Sequence, residues 1–416
     1  MAGFFIVLGD IKEDGKKIKD AKDVLVDLCK KGLYSTNQYI QNDLLTWSKN
    51  KVSTFADYFS MQEDDYVFFF AKRKIYGVGR LVNVGVDCKY WAFEGANIPK
   101  VYSEEEIVES KLADGITPDN RCVCFFEPIE YYPHAIDMDD ALTAFPESFR
   151  SLRVIQDRTF IKLDEEEARA LFSVLHKRNA EYDGVDRVDW TPPLFDESTH
   201  SFAKERIVEA PEKYSFTIES LLKTFPLCDN HAIGLEMAVE AAVVNSLTKG
   251  LDSDVFDRMY YVTHQVSASP AKPVEYMEWM DVFSYSTFDY LLDNGFPVQL
   301  SVDKYYVIEI KKDPVVLPKP QYGKDVKAAA NQLMKYVDWV AKYYARGNYP
   351  MVKGILISNK FDQSFFDYCK KVCVRNYNDG YRDSKPEVWR DFELIEYSFD
   401  GGNISFKKVY SGTENY

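Results

Sequence analysis

Two apolar strands with one long helix between them, from Tyr305 to Ser358, restrict the fold of this chain more than any other stretch. Tyr305 to Ile310 (YYVIEI) reads as a strand, about Lys324 to Tyr344 as a helix, and Met351 to Ser358 (MVKGILIS) as a second strand. A strand–helix–strand passage of this kind builds an α/β core. Another helix is expected near Gln363 to Val374. Phe392 to Phe399 and Ile404 to Val409 read as a closing hairpin around Gly401-Gly402. Upstream, Thr217 to Thr224 reads as a short helix, and HAIGLEMAVEAAVVNSL, from His231, as a long amphipathic one.

The chain has 416 residues, more than one hydrophobic core usually holds, so two domains are expected. The stretch NAEYDGVDRVDWTPPLFDESTHSFAKE is polar, broken at Pro192-Pro193 and weakly periodic. It divides the chain into a domain over 1–180, a linker over 181–215 and a domain over 216–416. The first domain reads as mixed α/β. A helix is expected from Ala21 to Lys31, strands from Tyr66 to Phe70 and Ile75 to Val84 around a turn at Lys72–Lys74, and another strand from Cys122. A further helix is expected from Glu165 to Lys177, with Asp164 as its N-cap, glutamates in its first turn and a basic end.

Composition narrows the functional classes. A net charge of -15 argues against a protein that coats nucleic acid non-specifically, but not against an enzyme with one basic groove and metal-binding carboxylates. Seven cysteines in no CxxC or zinc-type spacing fit free thiols in a reducing cytoplasm. No segment approaches the ~20 apolar residues of a membrane span, and the N-terminus lacks the basic start and cleavage site of a signal peptide. A cytoplasmic protein with no membrane association is expected.

The chemistry concentrates in YYVIEIKKD. Alternate strand residues share a face, so Glu309 and Lys311 project together while Ile308 and Ile310 point into the core. Charges at a solvated strand end would look the same. Neighbouring segments add to the pattern. Asp289 lies among apolar residues in TFDYLLDNG, and Gln332 and Tyr336 in NQLMKYV share one helix face. An Asp, then Glu-x-Lys, then a helical Gln-x-x-x-Tyr, then an apolar strand resembles the restriction-endonuclease-like superfamily with the PD-(D/E)XK motif, and its RecB-like branch in particular. The resemblance covers roughly residues 217–375.

That resemblance implies a mixed sheet flanked by helices and a site for Mg2+ or Mn2+. Asp289, Glu309 and the carbonyl of Ile310 would be its ligands, with Lys311 assisting phosphodiester hydrolysis and Gln332 and Tyr336 contacting substrate or orienting Lys311. It also implies an acidic residue on the preceding helix. Glu240 is favoured over Glu236 because its surroundings are more apolar. Phe288 stands where the family often has proline, and a long insert separates Asp289 from Glu309. Asp281 in WMDVFSY and Asp303 before the strand are therefore kept as alternatives to Asp289.

In the first domain, DDYVFFFAKRKIYGVGRLVNVG places Gly77 and Gly79 inside a strand, where glycine lets a backbone or ligand approach closely. Together with CVCFFEP and FIKLDEEEARAL, this layout resembles PUA-like domains of the EVE and YTH group, small β-barrels that receive a flipped base. The resemblance covers roughly residues 1–178. It implies a pocket drawn from Tyr34, Ser35, Thr36, Asn37 and Trp47 in and after GLYSTNQYI, with Lys72, Arg73 and Lys74 gripping phosphate. Core packing for the aromatics and a solvated hairpin for the basic turn are the alternatives.

The two resemblances together imply a modification-dependent restriction endonuclease. The first domain would test a flipped base, the second would cut DNA, and a homodimer would cut both strands. A nuclease without modification dependence, an inactive nucleic-acid-binding module and an RNA substrate remain open at the level of sequence.

Overall fold

The structure, a computed structural model, describes residues 2–13, 15–37, 40–41, 46–47, 55–83, 87–92, 121–146, 148–149, 160–179, 194–196, 201–203, 227–228, 232–233, 236–268, 278–288, 302–317, 329–378, 385–400 and 403–413. The chain divides into two compact units, Met1–Thr224 and Phe225–Tyr416. Both are mixed α/β.

In the first unit, β1 (Gly3–Leu8) is a near-continuous apolar run, as suits a strand covered on both faces. After α1 (Ala21–Lys31) come β2 (Leu33–Asn37), β3 (Tyr66–Ala71), β4 (Lys74–Leu81), β5 (Lys89–Ala92) and β6 (Arg121–Asp137). The unit continues with α2 (Met138–Ala144), β7 (Phe160–Leu163) and α3 (Glu165–Asn179). The sheet order is β7-β1-β3-β4-β6-β2, with β5 also on β6, and β1 runs parallel to β3. Among the described residues this pairing is an open path that does not close into the expected barrel. The long β6 pairs with β4 through its second half and with β2 and β5 through its first, with two register shifts against β4.

Local rules account for the element ends. Asp20 accepts from the Lys22 amide at the start of α1, and Gly32, at φ 65°, closes its end. At α3, Asp164 accepts from the Glu167 amide at 2.7 Å while Glu167 accepts from the Asp164 amide at 3.1 Å, a reciprocal capping box. Gly77 and Gly79 are needed for backbone approach. A Cβ at Gly77 would lie 2.1 Å from the Glu130 carbonyl oxygen, and one at Gly79 2.9 Å from that of Glu127.

In the second unit a short strand pair, Leu227–Cys228 with Ala232–Ile233, precedes α4 (Glu236–Lys249). β8 (Tyr261–Ser267), β9 (Trp279–Thr287), β10 (Val302–Lys311), α5 (Ala329–Tyr343) and β11 (Val352–Ser358) follow. The last elements are α6 (Gln363–Val372), β12 (Phe392–Asp400) and β13 (Asn403–Ser411). They form one sheet in the order β8-β9-β10-β11-β12-β13. The outer pairs are antiparallel, whereas β10, β11 and β12 run parallel. The helix after His231 differs from expectation. It begins at Glu236, and every residue from Met237 to Leu247 is buried, so it is a core helix rather than an amphipathic one. Thr217–Thr224 lies outside the described residues.

Burial on both faces of β10 positions the site. Val307 joins a core with Leu333 and Val337 of α5. Ile308 and Ile310, on the opposite face, are also fully buried. The face that carries Glu309 is therefore interior too, and no solvated strand edge exists at that position.

Candidate active site

Glu309 and Lys311 lie at the C-terminal end of β10, where it runs parallel to β11 with Lys311 opposite Ser358. In open α/β sheets the carboxyl ends of parallel strands are where ligands bind. On the other side, the antiparallel pairing of β9 with β10 stops at Val282 opposite Ile308. The next residue of β9, Asp281, takes over with its side chain, and Oδ2 accepts from the Ile310 amide at 2.8 Å. The strands thus part where two carboxylates and a lysine meet.

Lys311 Nζ donates to Glu309 Oε1 at 2.6 Å. Glu309 is 0% exposed, and its Oε2 has no hydrogen-bond partner among the described residues. Burial, then the charge of Asp281, pushes the Glu309 carboxyl well above the usual range. Burial, then the charge of Glu240, pushes Asp281 up to about 8. Burial works against the charged form of Lys311, but Glu309, Asp281 and Glu236 outweigh it and hold the ammonium group above its ordinary value.

Both glutamates of α4 face this cluster. Glu240 is buried, and its Oε2 lies 2.8 Å from Nε2 of the buried His264 on β8. Glu236, half-buried, accepts from the Lys312 amide at 3.3 Å. From α5, the buried Tyr336 hydroxyl accepts from Gln332 Nε2 at 3.1 Å. Its pKa is pushed up to about 12 by burial, and Glu309 and Asp281 contribute to that rise.

Asp289 lies outside the described residues; among those described, Asp281 is the acidic neighbour that acts most strongly on Glu309, followed by Glu236. Asp303 is exposed at the start of β10, six residues before Glu309 and so about 20 Å away along an extended strand, too far to share a cation with it. His264 was not among the residues singled out in the sequence. Its only signal there is one histidine in a β-like run, which carries no ligand spacing.

The expected base-reading and phosphate-gripping residues fare differently. Tyr34 is buried in the first unit's core, donates to the Val7 carbonyl at 2.8 Å and packs edge-on against Phe160. Its ring belongs to the core rather than to an open pocket. The side chains of Ser35, Thr36, Asn37 and Trp47 lie outside the described residues. Lys72 and Arg73 occupy a turn with φ of 50° and 61°, as a two-residue hairpin requires. Lys72 pairs with Asp10 at 2.8 Å and Asp20 at 2.7 Å, and Arg73 with Asp139 at 2.7 Å. A phosphate would have to displace three carboxylates, so these two side chains are not a ready phosphate grip. Lys74 is exposed.

Among the described residues, no three His, Cys, Asp or Glu side chains form a metal-binding group by themselves. The donors nevertheless suit a hard cation such as magnesium, which takes one or two carboxylates and completes its shell with water and phosphate oxygen. An unpartnered buried carboxyl oxygen on Glu309, beside the Asp281 carboxyl that burial and then Glu240 push up, is what such an ion would satisfy. No helix among the described residues is long and apolar enough to cross a membrane. No family model matches the chain, and no curated protein matches it.

Proposed function

We propose that the second unit is a metal-dependent nuclease and that the chain acts on DNA. The observation that carries this reading is the buried, unpartnered Glu309 Oε2 beside Asp281 at the C-terminal end of parallel strands. Asp281 and Glu309, with the Ile310 carbonyl, would hold Mg2+ or Mn2+. Bound there, the ion would neutralise charge on the phosphate and lower the pKa of water.

The chain's own residues do the rest. The Ile310 amide fixes Asp281 in place, so its second oxygen is oriented before any ligand arrives. Lys311, held charged by its carboxylate neighbours, stabilises the negative charge that builds on the phosphate. Glu240, steadied by His264, sets the charge at Asp281. Tyr336 and Gln332 close the site from α5 and orient the group beside Glu309. Nothing in the described first unit favours one substrate over another. Reading of a modified base there would rest on Ser35, Thr36 and Trp47, because Tyr34 is committed to the core.

The test is cleavage of plasmid DNA, plain and carrying modified cytosines, in Mg2+. Cutting that disappears in Glu309→Gln and falls about 10²–10³-fold in Lys311→Ala is the expected result. Cutting of the modified DNA alone would support modification dependence, and equal cutting would remove it. No cutting of either DNA, or full activity in Glu309→Gln, would refute the reading.

A further inference from the structure

Helix α5 carries an aromatic stripe that runs from the packed core out to the surface. Gln332, Tyr336, Trp339 and Tyr343 follow one another at steps of four, three and four. At about 100° per residue they fall within roughly 60° of arc, one stripe along a single flank of the helix. The packed face, with Leu333, Val337 and Val340, takes in Tyr336 and touches the inner side of Trp339, and Tyr343 lies beyond it.

The stripe passes from interior to surface. Tyr336, at its inner end, is buried and near enough to Glu309 and Asp281 for their charges to raise its pKa. Trp339 is half-buried, and Tyr343 is 51% exposed. Their ring centroids lie 4.0 Å apart at 36°, and Lys342 Nζ sits 4.9 Å from the Tyr343 ring. An exposed aromatic pair with a cation beside it, continuous with a phosphodiester site, suits a nucleobase. Each base has a flat π-face, and stacking tolerates any sequence. A chain of net charge -15 gains little from tracking phosphates, so stacking is the contact left to hold a strand.

We infer that Trp339 and Tyr343 form a stacking platform for unpaired bases of the strand whose phosphate lies at Glu309. Along the helix axis they stand about 4.5 and 10 Å beyond Tyr336. A stacked strand advances about 3.4 Å per nucleotide, so the platform takes bases roughly one to three nucleotides from the cut. Bases within a duplex already have both faces stacked, so the platform selects a single-stranded or frayed segment. This placement next to a cut rests on the proposed nuclease reading, whereas base stacking itself does not.

The test uses the full chain, with Ca2+ in place of Mg2+ for binding. Fluorescein-labelled oligo-dT and a duplex of equal length are titrated by anisotropy, and cleavage kinetics are measured separately in Mg2+. Tyr343→Ala, at an exposed position, and Trp339→Ala are each expected to weaken oligo-dT binding roughly five-fold or more, with KM raised and kcat unchanged. Tyr343→Phe, which keeps the ring, restores binding. Wild-type affinity in both alanine variants, failure of the phenylalanine rescue, or absence of oligo-dT binding by the wild type would overturn the inference. Ring-dependent binding without any cleavage would refute the nuclease reading and leave the platform standing. Cleavage with KM unchanged in both variants would do the reverse.

Discussion

Glu309 is an acidic residue in the interior of the sheet, where it pairs with Lys311. It is fully buried, one of its oxygens is unpartnered, and its neighbour Asp281 is pushed up to about 8. A carboxyl group whose folded value lies above its ordinary 3.8 stabilises the fold fully below that value and loses the contribution as pH rises through 8. Metal-free protein is therefore expected to melt at a lower temperature at pH 8 than at pH 5.5, and added Mg2+ should recover most of the loss at pH 8. Differential scanning calorimetry at the two pH values checks this, and a melting temperature unaffected by pH and metal would contradict it. Asp281→Asn removes the buried charge while keeping a hydrogen-bonding group for the Ile310 amide. Its metal-free form should be as stable as the wild type or more so at pH 8, yet gain nothing from Mg2+. His264→Ala removes the ring nitrogen that lies 2.8 Å from the buried Glu240 Oε2. Removing one partner of a buried hydrogen bond costs about 1–3 kcal/mol, which chemical denaturation would read, and wild-type stability would show that the contact is not structural.

At the scale of elements, the sequence carries its structure mainly in element ends and residue spacings. Asp20 with Gly32 bounds α1, and Asp164 with Glu167 opens α3, because caps are local chemistry. The Glu-x-Lys pattern placed Glu309 and Lys311 on one strand face for the same reason. What spacing could not supply was burial. The sequence around α4 looks amphipathic, but tertiary packing covers it all round, and β10 is covered on both faces where one was expected. Nor could spacing select Asp281 as the partner of Glu309, since that depends on the register of two strands separated by a long insert. The glycines of β4 were legible as points of close approach, while the partner, the backbone of β6, was not. Gly77→Ala would drive a Cβ into the Glu130 carbonyl at 2.1 Å. It is expected to destabilise the first unit by more than the ~1 kcal/mol typical of point mutants, and a variant of wild-type stability would contradict that β-strand geometry.

At the scale of the molecule, two compact units share one chain, and the proposed chemistry lies entirely in the second. Its sheet places Asp281 and Glu309 on neighbouring strands at one end, with Glu240 brought from α4 and Tyr336 from α5. These residues span almost a hundred positions of sequence, so only the topology assembles them. The most direct test of the whole account is whether that assembly binds a divalent cation. Isothermal titration of Mn2+ into the full chain at pH 7.5 would compare the wild type with Asp281→Asn, Glu309→Gln and Asp289→Asn. A site present in the wild type and in Asp289→Asn, and lost in the other two, is the expected result. Equal binding by all four proteins, or loss in Asp289→Asn alone, would contradict the assignment of Asp281 and Glu309 as the metal-holding pair.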